Sequence, residues 1–175
     1  MCIRDRGDIE FLCDLAPLEI GNYVWCDSIQ NGIQDPGEQA VENMIVQLYD
    51  ENGLLVGQDT TTLSGNYYFN QNNVDSTGIT VDGSGNGTPN TAWSGMDFNT
   101  KYYIVFGDSQ FSGGEFTIGS DTYTGITTND AGSNDNIDSD VDGSTLSTAL
   151  GIMPCLLYTS PSPRDATLSR MPSSA

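Results

Sequence analysis

The chain has 175 residues with 5 basic and 24 acidic side chains, no histidine, and a formal net charge of −19. That balance excludes nucleic-acid partners, because binding to a phosphate backbone needs several Lys or Arg. No run of apolar residues approaches the ~18 needed to cross a bilayer, and without His there is neither a Ser-His or Cys-His catalytic pair nor a His-bound zinc.

Taken in chain order, Gly7–Glu19 has weak periodicity and reads as linker. Ile20–Asp27 is patterned as a strand, with Tyr23, Val24 and Trp25 supplying bulk. Asn31-Gly32 and Asp35-Pro36-Gly37 then force turns. Met44–Tyr49 alternates, with Met44, Val46 and Leu48 on one face and Ile45, Gln47 and Tyr49 on the other. Asp50-Glu51-Asn52-Gly53 is a hairpin turn signal and Leu54–Gln58 the returning strand; Ser64-Gly65-Asn66 precedes another at Tyr67–Phe69. Residues 71–99, rich in Gly, Asn, Ser and Thr, read as a long inserted loop with one short strand at Gly78–Val81. Lys101–Gly107 is the clearest late strand; Glu115–Ile118, Thr122–Thr128 and Ser144–Ile152 are weaker ones. No apolar pattern of helical period and length occurs. The expectation is all-β: an antiparallel β-sandwich of about seven strands.

Composition changes at both ends. Met1-Cys2-Ile3-Arg4-Asp5-Arg6 and the tail from about Leu156 resemble translated sequencing-adapter read-through, so both are set aside from fold reasoning. The expected organisation is a head and linker over 1–19, a domain over 20–152 and an unstructured tail over 153–175. Removing residues 1–6 and 155–175 takes away four of the five bases and two acids (Asp5 and Asp165), leaving Lys101 as the one base and a net charge of −21. Spacing leaves open whether Cys13 and Cys26 are bonded.

Two carboxylate clusters carry the chemistry. In Asp27-Ser-Ile-Gln-Asn31-Gly32-Ile33-Gln-Asp35-Pro-Gly-Glu38 the oxygens fall at calcium-loop positions: Asp27 first, Asn31 fifth, the Ile33 carbonyl seventh, Asp35 ninth and Glu38 twelfth, with Gly32 at the sharp turn. Ile29 stands where a third side-chain oxygen belongs. The second cluster is Asp130, Asp135, Asp138, Asp140 and Asp142; alternation puts the last three carboxylates on one side of an extended chain. Like charges so placed repel unless a cation intervenes, and a hard cation with oxygen ligands, Ca²⁺, is the natural one. A solvated acidic loop explains the second cluster without a metal. Two carboxylates can also hydrolyse a glycoside, but nothing in these turns would raise the pKa of one of them, so no enzyme is expected.

The run Ile20–Glu38, then Val46–Gly53, Gly65–Phe69, Tyr102–Phe106 and Asn129–Gly143, resembles the SdrD B-like repeats of bacterial surface proteins. The resemblance implies an immunoglobulin-like or prealbumin-like sandwich, calcium held by Asp27, Asn31, Asp35, Glu38 and the Ile33 carbonyl, and later ligands at Asp138, Asp140 and Asp142. It leaves open whether the closing strand is present. It further implies a calcium-stabilised spacer or stalk module of a secreted or cell-surface adhesin-like protein, with neighbouring repeats and a host or environmental protein or glycan as partners. Related domains form Lys–Asn cross-links; Lys101 alone in a late strand predicts none. The alternative function is a carbohydrate- or protein-binding sandwich that uses the 71–99 loop and Trp93.

Overall fold

The computed structural model describes residues 18–129, 131–133, 137–139, 141–145 and 156–159. β1 (Ile20–Tyr23) and β2 (Trp25–Cys26) form nearly one extended run, and β3 (Gln39–Ala40) returns against β2 after the first acidic loop. β4 (Ile45–Asp50) and β5 (Leu55–Thr60) make the expected hairpin, and β6 (Asn66–Phe69) pairs antiparallel with β1. The hairpin closes because Asp50 Oδ1 accepts from the amides of Asn52 and Leu54 at 2.9 and 2.8 Å. Gly53 sits there at φ +81°, which costs glycine no Cβ clash. β7 (Ile79–Val81) and β8 (Gly87–Pro89) form a second hairpin. β9 (Tyr102–Phe106) leads through a 3-10 turn at Asp108–Gln110 into β10 (Phe111–Ser112), β11 (Glu115–Ile118) and β12 (Asp121–Thr124), a three-stranded meander. β13 (Asp142–Thr145) and β14 (Leu156–Thr159) follow.

The main sheet has the order β13-β14-β9-β4-β5 and is antiparallel throughout. Val46, Leu48, Val56, Tyr102, Ile104 and Phe106 bring it into the core, where they meet Ile20 of β1, Tyr67 and Phe69 of β6, and Phe116 and Ile118 of β11. Tyr67 packs edge-on against Phe106 with centroids 5.6 Å apart, the geometry that ring quadrupoles favour. The result is the expected sandwich, its sheets left open at their edges. The alternation in β4 is as expected, with Val46 and Leu48 wholly buried. Gln47 on the other face is covered too: its amide donates to Gln58 Oε1 at 3.0 Å and its oxygen accepts from the Tyr49 hydroxyl at 3.2 Å. All five residues of β9 are buried.

Two segments differ from the sequence expectation. Residues 71–99 carry the β7–β8 hairpin and are fastened by Asp75, which is fully buried. Its Oδ2 accepts from the Thr91 amide at 3.0 Å and its Oδ1 from the Thr77 amide and hydroxyl at 2.9 and 2.7 Å. The stretch is thus held both by hydrogen bonds to one buried carboxylate and by Val74 and Met96, which join the core. The Thr91 amide, acting against burial and together with Thr77, holds that carboxyl at about 2. Leu156–Thr159, placed by composition in an unstructured tail, pairs with β9 from Leu156↔Phe106 to Thr159↔Tyr103. Leu-Leu-Tyr-Thr is a short β-prone run, and it covers the edge of β9 that β4 leaves open.

Candidate metal centre

The first acidic loop joins β2 to β3 and is built around Asp27. Its Oδ1 accepts from the amides of Gln30 at 2.6 Å and Asn31 at 3.3 Å, and its Oδ2 from the Gly32 amide at 2.7 Å and the Thr127 hydroxyl. Desolvation pushes the carboxyl up. The Thr127 hydroxyl and the Gly32, Gln30 and Asn31 amides more than reverse this, so it stays below the ordinary aspartate value and ionised at neutral pH. At the far end Glu38 Oε1 accepts from the Ser28 amide at 2.8 Å and Oε2 from the Asp35 amide at 3.0 Å. Asn31 bridges the middle: Nδ2 donates to Asp35 Oδ2 at 2.7 Å and Oδ1 accepts from the Ile33 amide at 2.9 Å. Asp27, Asn31, Ile33, Asp35 and Glu38 therefore belong to one hydrogen-bonded loop.

Asp138 of the second cluster comes to the same place. Ile33 and Asp138 form an antiparallel bridge, with Gln34 N–H donating to the Ile137 carbonyl at 2.6 Å and Ser139 N–H to the Gly32 carbonyl at 2.9 Å. Those bonds flank the pair, so Ile33 turns its own amide and carbonyl away from Asp138, toward the loop. Asp138 is buried; Oδ2 accepts from the Gly132 amide at 3.3 Å, whereas Oδ1 has no hydrogen-bond partner among the described residues. A buried carboxylate oxygen left unpaired is costly and is the feature a cation would satisfy. Gly32 is required at the junction: at φ +76°, a Cβ there would lie 2.2 Å from the Thr128 carbonyl oxygen.

Asp130, Asp135 and Asp140 lie outside the described residues, and Asp142 is placed only as the start of β13. Among the described residues, no three acidic or cysteine side chains converge as a metal-holding group. The oxygens drawn together are of mixed origin: carboxylates, the Asn31 amide and the Ile33 carbonyl. Such an all-oxygen donor set suits Ca²⁺ and not a thiophilic metal. Thr127 was invisible to sequence reasoning, since nothing in a lone threonine 100 residues from Asp27 signals contact. The Cys26 thiol is free, and burial, then Glu38 and Asp27, push its pKa up; Cys13 lies outside the described residues.

The loop, the strand that precedes it and the hairpins that follow match the family model of the SdrD B-like domain over residues 18–100. Over that span the chain is similar to an SdrD B-like domain. The matched span includes the whole 71–99 stretch. The chain is 44% identical over 68 residues to Colossin-B of Dictyostelium discoideum, covering 38% of this chain and 2% of that protein. It is 37% identical over 78 residues to serine-aspartate repeat-containing protein F of Staphylococcus epidermidis, covering 45% and 4%. Identity to a fibrinogen-binding protein of the same species is 36% over 78 residues, 45% of this chain and 7% of that one. The chain thus matches a small part of each relative's length.

Proposed function

We propose that the chain is a calcium-stabilised, non-catalytic spacer module of a secreted or cell-surface multidomain protein. One observation carries the reading: the Ile33–Asp138 bridge brings the two acidic segments together beside a buried carboxylate oxygen with no partner. Asp27, Asn31, Asp35, Glu38 and the Ile33 carbonyl would hold the ion of the first loop. Asp138 is the donor of the second segment that bridges to the loop, with Asp130, Asp135, Asp140 and Asp142 as further candidates. A bound Ca²⁺ supplies two positive charges to a chain of net charge −19 and ties loops remote in sequence, so binding energy becomes folding energy. Millimolar extracellular calcium fills even a weak site of this kind. Neighbouring repeats of the same polypeptide are the partners this role implies.

Calorimetric titration of the whole chain with Ca²⁺, with Mg²⁺ and EDTA as controls, tests the reading. Saturable uptake together with a raised melting temperature supports it; a folded chain that shows neither refutes it. A second reading, ligand binding through residues 71–99, draws on Trp93 and Phe98, which are 37% and 51% exposed close to the stretch that Asp75 fastens. A glycan or protein screen in which Trp93→Ala abolishes binding would favour it.

A further inference from the structure

A cleft of about 700 Å³ opens between the β1–β2 run and β12, beside the first acidic loop. One wall is made by every residue from Tyr23 to Ser28, the other by every residue from Thr122 to Thr128. Within these walls Trp25–Cys26 and Thr122–Thr124 are strand, and both members of each strand's alternation reach the cleft, as they do when a strand presents its edge. The floor is core: Val41, Met44, Phe106 and Phe116.

The registers identify the backbone groups at these edges. Gly125 N–H donates to the Gly114 carbonyl at 3.1 Å, and the pairs step from there to Glu115↔Thr124 and Phe116↔Tyr123. Thr122 and Thr124 are consequently the non-bonded members and turn their N–H and C=O away from β11. Opposite them, Val41 N–H donates to the Val24 carbonyl at 3.0 Å, with Trp25↔Ala40 as the next pair. Trp25 by the same rule turns its backbone groups away from β3. Its buried indole Nε1 also lacks an acceptor among the described residues. Two strand edges above an apolar floor, with no backbone partner for these groups among the described residues, form a template for a further strand.

We propose that this cleft accepts an extended peptide of neutral or basic character from another polypeptide. The peptide runs between β2 and β12, bonds to the backbone of Trp25 on one side and of Thr122 and Thr124 on the other, and lays alternate apolar side chains on Met44 and Phe106. Charge selects this occupant over a second copy of the chain. Each copy carries −19 and repels its like, and among the described residues the one charged side chain in the lining, Asp27, is an anion.

The test titrates the full chain with three blocked octapeptides: alternating Val and Thr with Lys at each end, the same with Glu ends, and the Lys-ended form N-methylated at alternate residues. The expected result is saturable binding of the Lys-ended peptide that weakens with salt, binding of the Glu-ended one roughly tenfold weaker, and none by the N-methylated one. Amide resonances of Trp25, Thr122 and Thr124 shift. Thr124→Pro deletes one outward N–H without removing a bond to β11, and should weaken binding roughly five- to tenfold at unchanged melting temperature. Thr122→Pro serves as the second variant if Thr124→Pro melts lower. Failure of the Lys-ended peptide to bind, equal binding of the N-methylated form, or a concentration-dependent dimer that shuts the peptide out would each overturn the proposal.

Discussion

The hydroxyl of Thr127 donates to Asp27 Oδ2, joining residues 100 positions apart in the chain. Asp27 thereby fastens its own loop and the segment after β12 to a single carboxylate. Asp27→Ala removes four hydrogen bonds, and the expected loss is about 2 kcal/mol of stability. That corresponds to a melting temperature lower by roughly 4–8 °C, read by thermal denaturation in EDTA so that metal plays no part.

Acid acts on Asp75 through its hydrogen bonds. Its folded-state value of about 2 lies below the 3.8 of a free aspartate. Its contribution is therefore fully present above the unfolded value and is lost as pH falls from about 4 through about 2. Urea titrations across that window should show a slope that Asp75→Asn flattens. An unchanged slope would show that the buried carboxylate is not what orders residues 71–99.

Gly32→Ala should separate the two acidic segments. At φ +76° a Cβ is strained whatever the space, and the nearest obstacle is backbone, the Thr128 carbonyl. A loss of about 1–3 kcal/mol is expected, with faster amide exchange at Gln34 and Ser139, whose N–H groups hold the bridge.

In the core, Thr61 holds a polar junction: its buried hydroxyl accepts from the Met44 amide at 2.9 Å and donates to the Val41 carbonyl at 2.7 Å. Thr61→Val keeps the shape and strands both groups, costing about 1–3 kcal/mol in chemical denaturation. Leu48→Ala, a pure truncation of a fully buried side chain, should cost about 2–5 kcal/mol.

Ile29 occupies the third position of the loop and is 64% exposed, so its replacement disturbs little packing. On the proposed function, Ile29→Asp adds a side-chain oxygen and should tighten Ca²⁺ binding on the order of tenfold. Unchanged affinity by calorimetry would place the ion elsewhere.

Much of the fold was legible because it follows from local rules. The Asp50–Gly53 turn and the alternation of Val46 and Leu48 fix the β4–β5 hairpin from adjacent residues alone. The unbroken apolar run Tyr102–Phe106 marks a strand covered on both faces. The spacing of Asp27, Asn31, Asp35 and Glu38 marks one loop, and hydrogen bonds tie its members together. What escaped notice was non-local. Asp75 is one aspartate among many until Thr77 and Thr91 surround it, and Thr127 matters only because the meander delivers it to Asp27. Leu156–Thr159 was judged by its neighbours' composition, whereas its pairing depends on the exposed edge of β9.

Lys101 is the sole basic residue between Arg6 and Arg164, and its ammonium rests over the Tyr103 ring, 4.6 Å from the centroid. The next five residues are β9, buried from end to end between β14 and β4. A protease that cuts after basic residues must draw an extended segment into its own cleft, and here that segment is the central strand. Cleavage at Lys101 must wait for the sheet to open. Outside the cell, where such proteases act, the scarcity of lysine and arginine works as armour.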